Sequence, residues 1–132
     1  MHHAFPCNSI PKARAFYGGV LGCKEGRSTD IWCDFNFFGH QVVAHKVSDT
    51  YRGDSKEMKN PVDGHGVPVP HFGIVMEWNA FNRLVERIKK AKVKFEIAPY
   101  TRFAGLAGEQ RTMFFKDPSG NALEFKTFKN IG

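Results

Sequence analysis

Hydrophobic and polar positions alternate from His2 to Cys7, with His3, Phe5 and Cys7 on one side and Ala4 and Pro6 on the other, the period of a strand. Asn8 or Ser9 can cap a following helix, and Pro11 suits its first turn. Ile10, Ala13, Phe16, Tyr17, Val20 and Leu21 then recur at helical spacing, and Gly22 is a stop signal. Three strand-like runs follow, around Cys23–Ser28, Asp30–Phe38 and Gln41–Val47, with Gly39-His40 predicting a hairpin between the last two.

Ser48 to Pro70 breaks the pattern. The stretch is polar, carries Gly53, Gly64 and Gly66 and shows no period, so it reads as a linker or functional lid rather than packed structure. The pattern resumes at His71, where Phe72, Ile74 and Met76 share one face and His71, Gly73 and Val75 the other. Asn79 can cap a helix whose apolar stripe is Phe81, Leu84, Val85 and Ile88. Strands follow at Lys94–Ala98, Arg111–Phe115 and Ala122–Phe128, the last two joined by the turn Asp117-Pro118-Ser119-Gly120. Strand, helix, three strands thus occurs twice, at a period of about half the chain. Such a repeat constrains the fold more than any single motif. The expectation is one α+β domain over 1–132, with a first module at about 1–47, a linker or lid at about 48–69 and a second module at about 70–132.

A chain of 132 residues, 42% hydrophobic and 14% aromatic, is long enough to bury a core without disulfides or metal. No run approaches the ~20 apolar residues of a membrane span, and the N-terminus lacks the order of a signal peptide, which points to a soluble cytoplasmic protein with no membrane partner. Cys7, Cys23 and Cys33 are odd in number without a CxxC pair, which predicts buried reduced thiols. The net charge of +6 raises nucleic-acid binding. The one basic cluster, Arg87, Lys89, Lys90, Lys92 and Lys94, falls at a helix C-terminus, where cations oppose the helix dipole, and no recognition motif accompanies it. A small molecule, not a nucleic acid, is the expected partner.

Each module opens with a histidine, His3 in the first and His71 in the second, and Glu124 interrupts the apolar strand NALEF. A carboxylate inside such a strand is costly unless it is paired or binds a metal. Two neutral imidazoles and one carboxylate suffice for a divalent cation with open positions. ARAFYGGVLGC and FFKDPSGNALEF resemble the first helix and the closing hairpin of the vicinal oxygen chelate superfamily, which includes glyoxalases, bleomycin-resistance proteins, extradiol dioxygenases, fosfomycin thiol transferases and methylmalonyl-CoA epimerase.

The resemblance spans nearly the whole chain and implies paired βαβββ modules forming a curved mixed sheet around a metal held by His3, His71 and Glu124. A fourth ligand of that family would stand on the last strand of the first module, GHQVVAHKV. Glu124 lies four residues after Gly120, and the residue four after Gly39 is Val43, which cannot ligate. Gln41 and His45 share its parity, and a register shift of two would bring either in. His45 is therefore a fourth ligand or an acid/base group beside the metal. Tyr100 and Arg102 can orient an anionic oxygen, with Tyr100 also able to act as an acid.

The reading implied is an extradiol-type dioxygenase on Fe(II), acting on a small substrate with neighbouring oxygens. The rivals are a glyoxalase-like isomerase or lyase on Zn, Mn or Ni, and a metal-free drug-binding resistance protein. A homodimer is expected, because two modules leave sheet edges and apolar surface for a symmetric partner to cover.

Overall fold

The computed structural model describes residues 1–53 and 57–129. They form two compact units, one of Met1–Glu57 with Asp117–Asn121, the other of Met58–Lys116 with the chain from Ala122.

In the first unit β1 (His2–Cys7) leads into α1 (Ile10–Ala13), which continues as a π-helical segment, Arg14–Val20. Ser9 caps α1 by accepting from the Lys12 amide, and the wider turn ends where the Leu21 amide donates to the Phe16 carbonyl at 2.9 Å. Strands β2 (Lys24–Ser28), β3 (Trp32–Phe37) and β4 (His40–Lys46) complete the order β1-β4-β3-β2, with β1 parallel to β4. Tyr17 is the centre of this core. It is fully buried, with its ring 4.9 Å from Phe5 and 5.5 Å from Phe35 between centroids. Its hydroxyl donates to Asp117 Oδ2 at 2.7 Å. That buried carboxylate also accepts from the Ser119 and Asn121 amides and from Asn121 Nδ2, so the predicted turn is locked by its own first residue.

The second unit opens with a hairpin, β5 (Met58–Val62) and β6 (His65–Val69), so the stretch expected to be a linker or lid contains paired strands. Then come β7 (Phe72–Met76), α2 (Trp78–Lys90), β8 (Phe95–Arg102), β9 (Gln110–Lys116) and β10 (Ala122–Phe128). The sheet order β7-β10-β9-β8 repeats that of the first unit, with β7 parallel to β10. The predicted stripe Phe81, Leu84, Val85 and Ile88 is buried, as are Met113, Phe115, Leu123 and Phe125 of β9 and β10. α2 starts earlier than expected, because Glu77 rather than Asn79 caps it, its longer side chain accepting from the Ala80 amide at 2.8 Å. The predicted α+β architecture of two βαβββ modules is the one observed.

Cys7, Cys23 and Cys33 are all buried and outside any disulfide, as expected, and burial pushes the Cys33 thiol up to about 11. No helix among the described residues is long and apolar enough to cross a membrane.

Candidate metal centre

The alternation of β7 and β10 decides which side chains leave the core. Leu123, Phe125 and Thr127 are buried toward α2, so Glu124 and Lys126 emerge on the opposite face. His71 immediately precedes β7, and its Nε2 lies 3.2 Å from Glu124 Oε1. These groups and Lys126 line a hollow of about 290 Å³ floored by Gly73 and Val75.

The outer atoms of the pair are already engaged. His71 Nδ1 donates to the Pro68 carbonyl at 2.7 Å, which fixes the tautomer and leaves Nε2 as the lone-pair nitrogen. The ring stands edge-on to Phe114, 5.1 Å between centroids. Glu124 Oε2 accepts from Thr112 Oγ1 at 2.6 Å and has Lys126 Nζ at 3.8 Å. What remains, Nε2 and Oε1, converges. Two ligands each about 2.1 Å from one ion stand about 3.0 to 3.4 Å apart at octahedral or tetrahedral angles, so this pair fits a divalent metal.

Electrostatics agree. Hydrogen bonding to Glu124 raises the His71 pKa, against the effect of burial, with the Pro68 carbonyl adding to the rise. Burial alone pushes the Glu124 carboxyl up, but hydrogen bonds from His71 and Thr112 and the charge of Lys126 more than offset it and hold it low. Both shifts favour the charged forms of the pair, an imidazolium at His71 and a carboxylate at Glu124. Among the described residues, no group of three or more His, Cys, Asp or Glu side chains is close enough to hold a metal, so His71 and Glu124 stand as a pair.

The register of the first unit aligns His2, rather than His3, with His71. Ala4 pairs with Val43 on β4 just as Gly73 pairs with Glu124 on β10. Counting back two residues from each glycine or alanine gives His71 in one unit and His2 in the other. His3 corresponds to Phe72, on the core-facing side. Its ring stacks on Phe5 with centroids 6.4 Å apart, and Phe5 and Cys7 on the same face are 3% and 1% exposed. Burial and the charge of His2 lower the His3 pKa. His2, exposed on the opposite face, places Nδ1 3.2 Å from Gln41 Oε1.

Val43 occupies the position of Glu124 and is 6% exposed. The pairing of β4 runs without a shift from Gln41 to Lys46 against β1 and from His40 to His45 against β3, so no bulge moves His45 inward. His45 is exposed on β4, opposite Pro6 and Trp32. Tyr100 lies on β8, its hydroxyl donating to Asp63 Oδ2 at 3.1 Å and its ring 4.5 Å from that of His65. Arg102 Nε stands 2.5 Å from the same Asp63 oxygen. Tyr100 and Arg102 are thus bound to the β5–β6 turn.

Neither Thr112 nor Pro68 carries a site role by sequence pattern alone. Counting outward from the Asp117–Gly120 turn pairs Glu124 with Phe114 and Lys126 with Thr112, which already puts Thr112 on the carboxylate's face.

The family model of the glyoxalase/bleomycin resistance protein/dioxygenase superfamily matches residues 1–125. No curated protein sequence matches the chain. Among solved structures, a glyoxalase/bleomycin resistance protein/dioxygenase from Alicyclobacillus acidocaldarius is 33% identical, covering 98% of this chain and 91% of that one with a TM-score of 0.77. A glyoxalase/dioxygenase from Nostoc punctiforme is 18% identical over 98% and 90% of the two chains, TM-score 0.71. A genomically encoded fosfomycin resistance protein from Listeria monocytogenes is 18% identical over 96% and 90%, TM-score 0.69. The last two share the fold alone. With its two βαβββ modules and a family match over nearly its whole length, the chain belongs to the glyoxalase/bleomycin resistance protein/dioxygenase superfamily.

Proposed function

We propose that this protein is a metal-dependent enzyme acting on a small substrate with neighbouring oxygens, by extradiol-type dioxygenation. The observation that carries the reading is Val43. An apolar side chain where the second module has Glu124 supports a set of two histidines and one carboxylate, which would leave room for substrate on the metal. His71 and Glu124 would hold the metal, with a third ligand from the β1 histidines. His3 is the histidine expected from sequence, and the register favours His2. Its Nδ1 faces Gln41 Oε1 as that of His71 faces the Pro68 carbonyl, leaving Nε2 as the ligating atom in both. Fe(II) is the metal favoured, over Zn, Mn or Ni.

When bound, the metal supplies Lewis acidity and a template for the reactants. The chain's residues prepare and serve that centre. Thr112 and Lys126 keep Glu124 ionised and aimed. Tyr100, whose pKa is raised by burial and by the neighbouring Asp63, stays a phenol and offers a proton, and His45 acts as an acid/base group without ligating. The working form is a homodimer, since the outer strands β1, β2, β7 and β8 each leave one edge for pairing or cover.

The test is turnover of catecholic substrates by Fe(II)-loaded protein, with oxygen uptake followed alongside ring-cleavage absorbance. Oxygen consumption equal to product supports the reading. Turnover that continues without oxygen moves the protein to the glyoxalase-like class, and protein purified without metal that also refuses Fe(II) moves it to the drug-binding class. Light scattering at micromolar concentration should give twice the chain mass, and a monomer would remove the dimer.

A further inference from the structure

The face of the first unit's sheet opposite its helix carries a polar row that crosses all four strands. Lys24 pairs with Asn36, Asn36 with Gln41, and Gln41 with His2, so four polar side chains stand side by side at strand spacing, about 4.8 Å. Three of them, Lys24, Asn36 and Gln41, line a hollow of about 450 Å³, a size suited to a small-molecule ligand.

The hydrogen bonds of the two amides set what the row presents. Asn36 Oδ1 accepts from the Gly39 amide at 2.8 Å, and a backbone N–H leaves no ambiguity about which atom is the oxygen. Gln41 Oε1 faces His2 Nδ1 at 3.2 Å. With both acceptor oxygens engaged, each amide is left with its NH₂ group to donate, as the ammonium of Lys24 donates beside them. The row is made of donors.

Charge follows the same sense. Arg27 also lines the hollow, while its two acids are unequal. Glu25 is held from the helix side by Arg14 at 2.9 Å, and Asp34 lies one row further on, opposite Val43. That leaves two cations and a line of N–H donors against one carboxylate.

We infer that this row is an oxyanion-binding site, and that the substrate of the proposed enzyme carries a carboxylate or phosphate group besides its chelating oxygens. The identification of the ligand as substrate rests on the proposed function; the binding site itself does not. His2 links the two. At the end of the row it can ligate through Nε2 while donating Nδ1–H to Gln41, so an anion bound at Lys24 and Asn36 lies on the same sheet face as the proposed ligand.

The experiment is a titration of the full-length, metal-free, ¹⁵N-labelled protein with oxalate or inorganic phosphate at constant ionic strength, with chloride as the control. The side-chain NH₂ resonances of Asn36 and Gln41 should shift saturably, and Lys24→Gln should weaken the response at least tenfold. Whichever probe saturates at the lower concentration identifies the group as carboxylate or phosphate. Absent shifts, shifts equal to those with chloride, or an unchanged response in Lys24→Gln would overturn the site. Protein that shows the shifts but binds no Fe(II), Mn or Zn in a separate titration would retain the oxyanion site and lose the metal reading.

Discussion

A β-carbon on Gly73 would overlap the main-chain carbonyl oxygen of Glu124. The absence of a side chain there lets β7 lie against β10 in the register that brings His71 to the Glu124 carboxylate. Gly73→Ala should therefore force the two strands apart, at a cost of about 3 kcal/mol or more, since the clash is with backbone and no rotamer relieves it. Chemical denaturation measures the loss, and a variant as stable as the parent would show that the strands can re-register freely.

Metal binding should separate the two β1 histidines. His71→Ala should abolish stoichiometric metal while far-ultraviolet circular dichroism stays native, because the buried cores do not include that ring. His2→Ala should do the same, and His3→Ala should keep the metal while lowering stability through lost packing on Phe5. Metal analysis of the three variants decides it, and loss confined to His3→Ala would restore the assignment made from sequence.

His45→Ala should leave metal affinity within about twofold and reduce turnover, as fits an exposed acid/base group on an unshifted strand. A fall in affinity matching that of His71→Ala would make His45 a ligand. Tyr100→Phe should likewise lower kcat with little change in affinity, and identical kcat would confine Tyr100 to holding the β5–β6 turn through Asp63.

Alkaline stability should depend on Tyr17. Burial, with the charge of Asp117, holds its phenol well above the ordinary value of 10.0. The folded state thus keeps a proton that the unfolded chain releases. The contribution is fully present below about pH 10 and is lost as pH climbs toward the folded-state pKa. Tyr17→Phe should flatten that alkaline decline. It should also cost about 1 to 3 kcal/mol at neutral pH by removing a donor from the buried Asp117 carboxylate. Denaturant titrations at pH 7 and pH 10.5 test both effects.

By itself the sequence determined what depends on period and on local turn chemistry. Alternation marked the strands, the stripe of Phe81, Leu84, Val85 and Ile88 marked the helix, and the repeat of strand, helix and three strands marked the family's architecture. Counting from Gly39 and Gly120 already equated Val43 with Glu124. The β5–β6 hairpin escaped because it is a two-stranded ribbon with Pro61 and Pro68 within its strands, and β5 is exposed at every position, so no periodic face identifies it. Which face each β1 histidine takes depends on tertiary structure. Alternation puts His3 with Phe5 and Cys7 and His71 away from Phe72, yet the spacing of the repeat in sequence tolerates a slip of one. Pairing of β1 with β4 does not, because each one-residue step reverses the face to which a side chain points. The convergence of His71 Nε2 and Glu124 Oε1 belongs to the structure for the same reason. Residues far apart in sequence meet only through the register of parallel strands, and Pro68 and Thr112 then fix which atoms face each other.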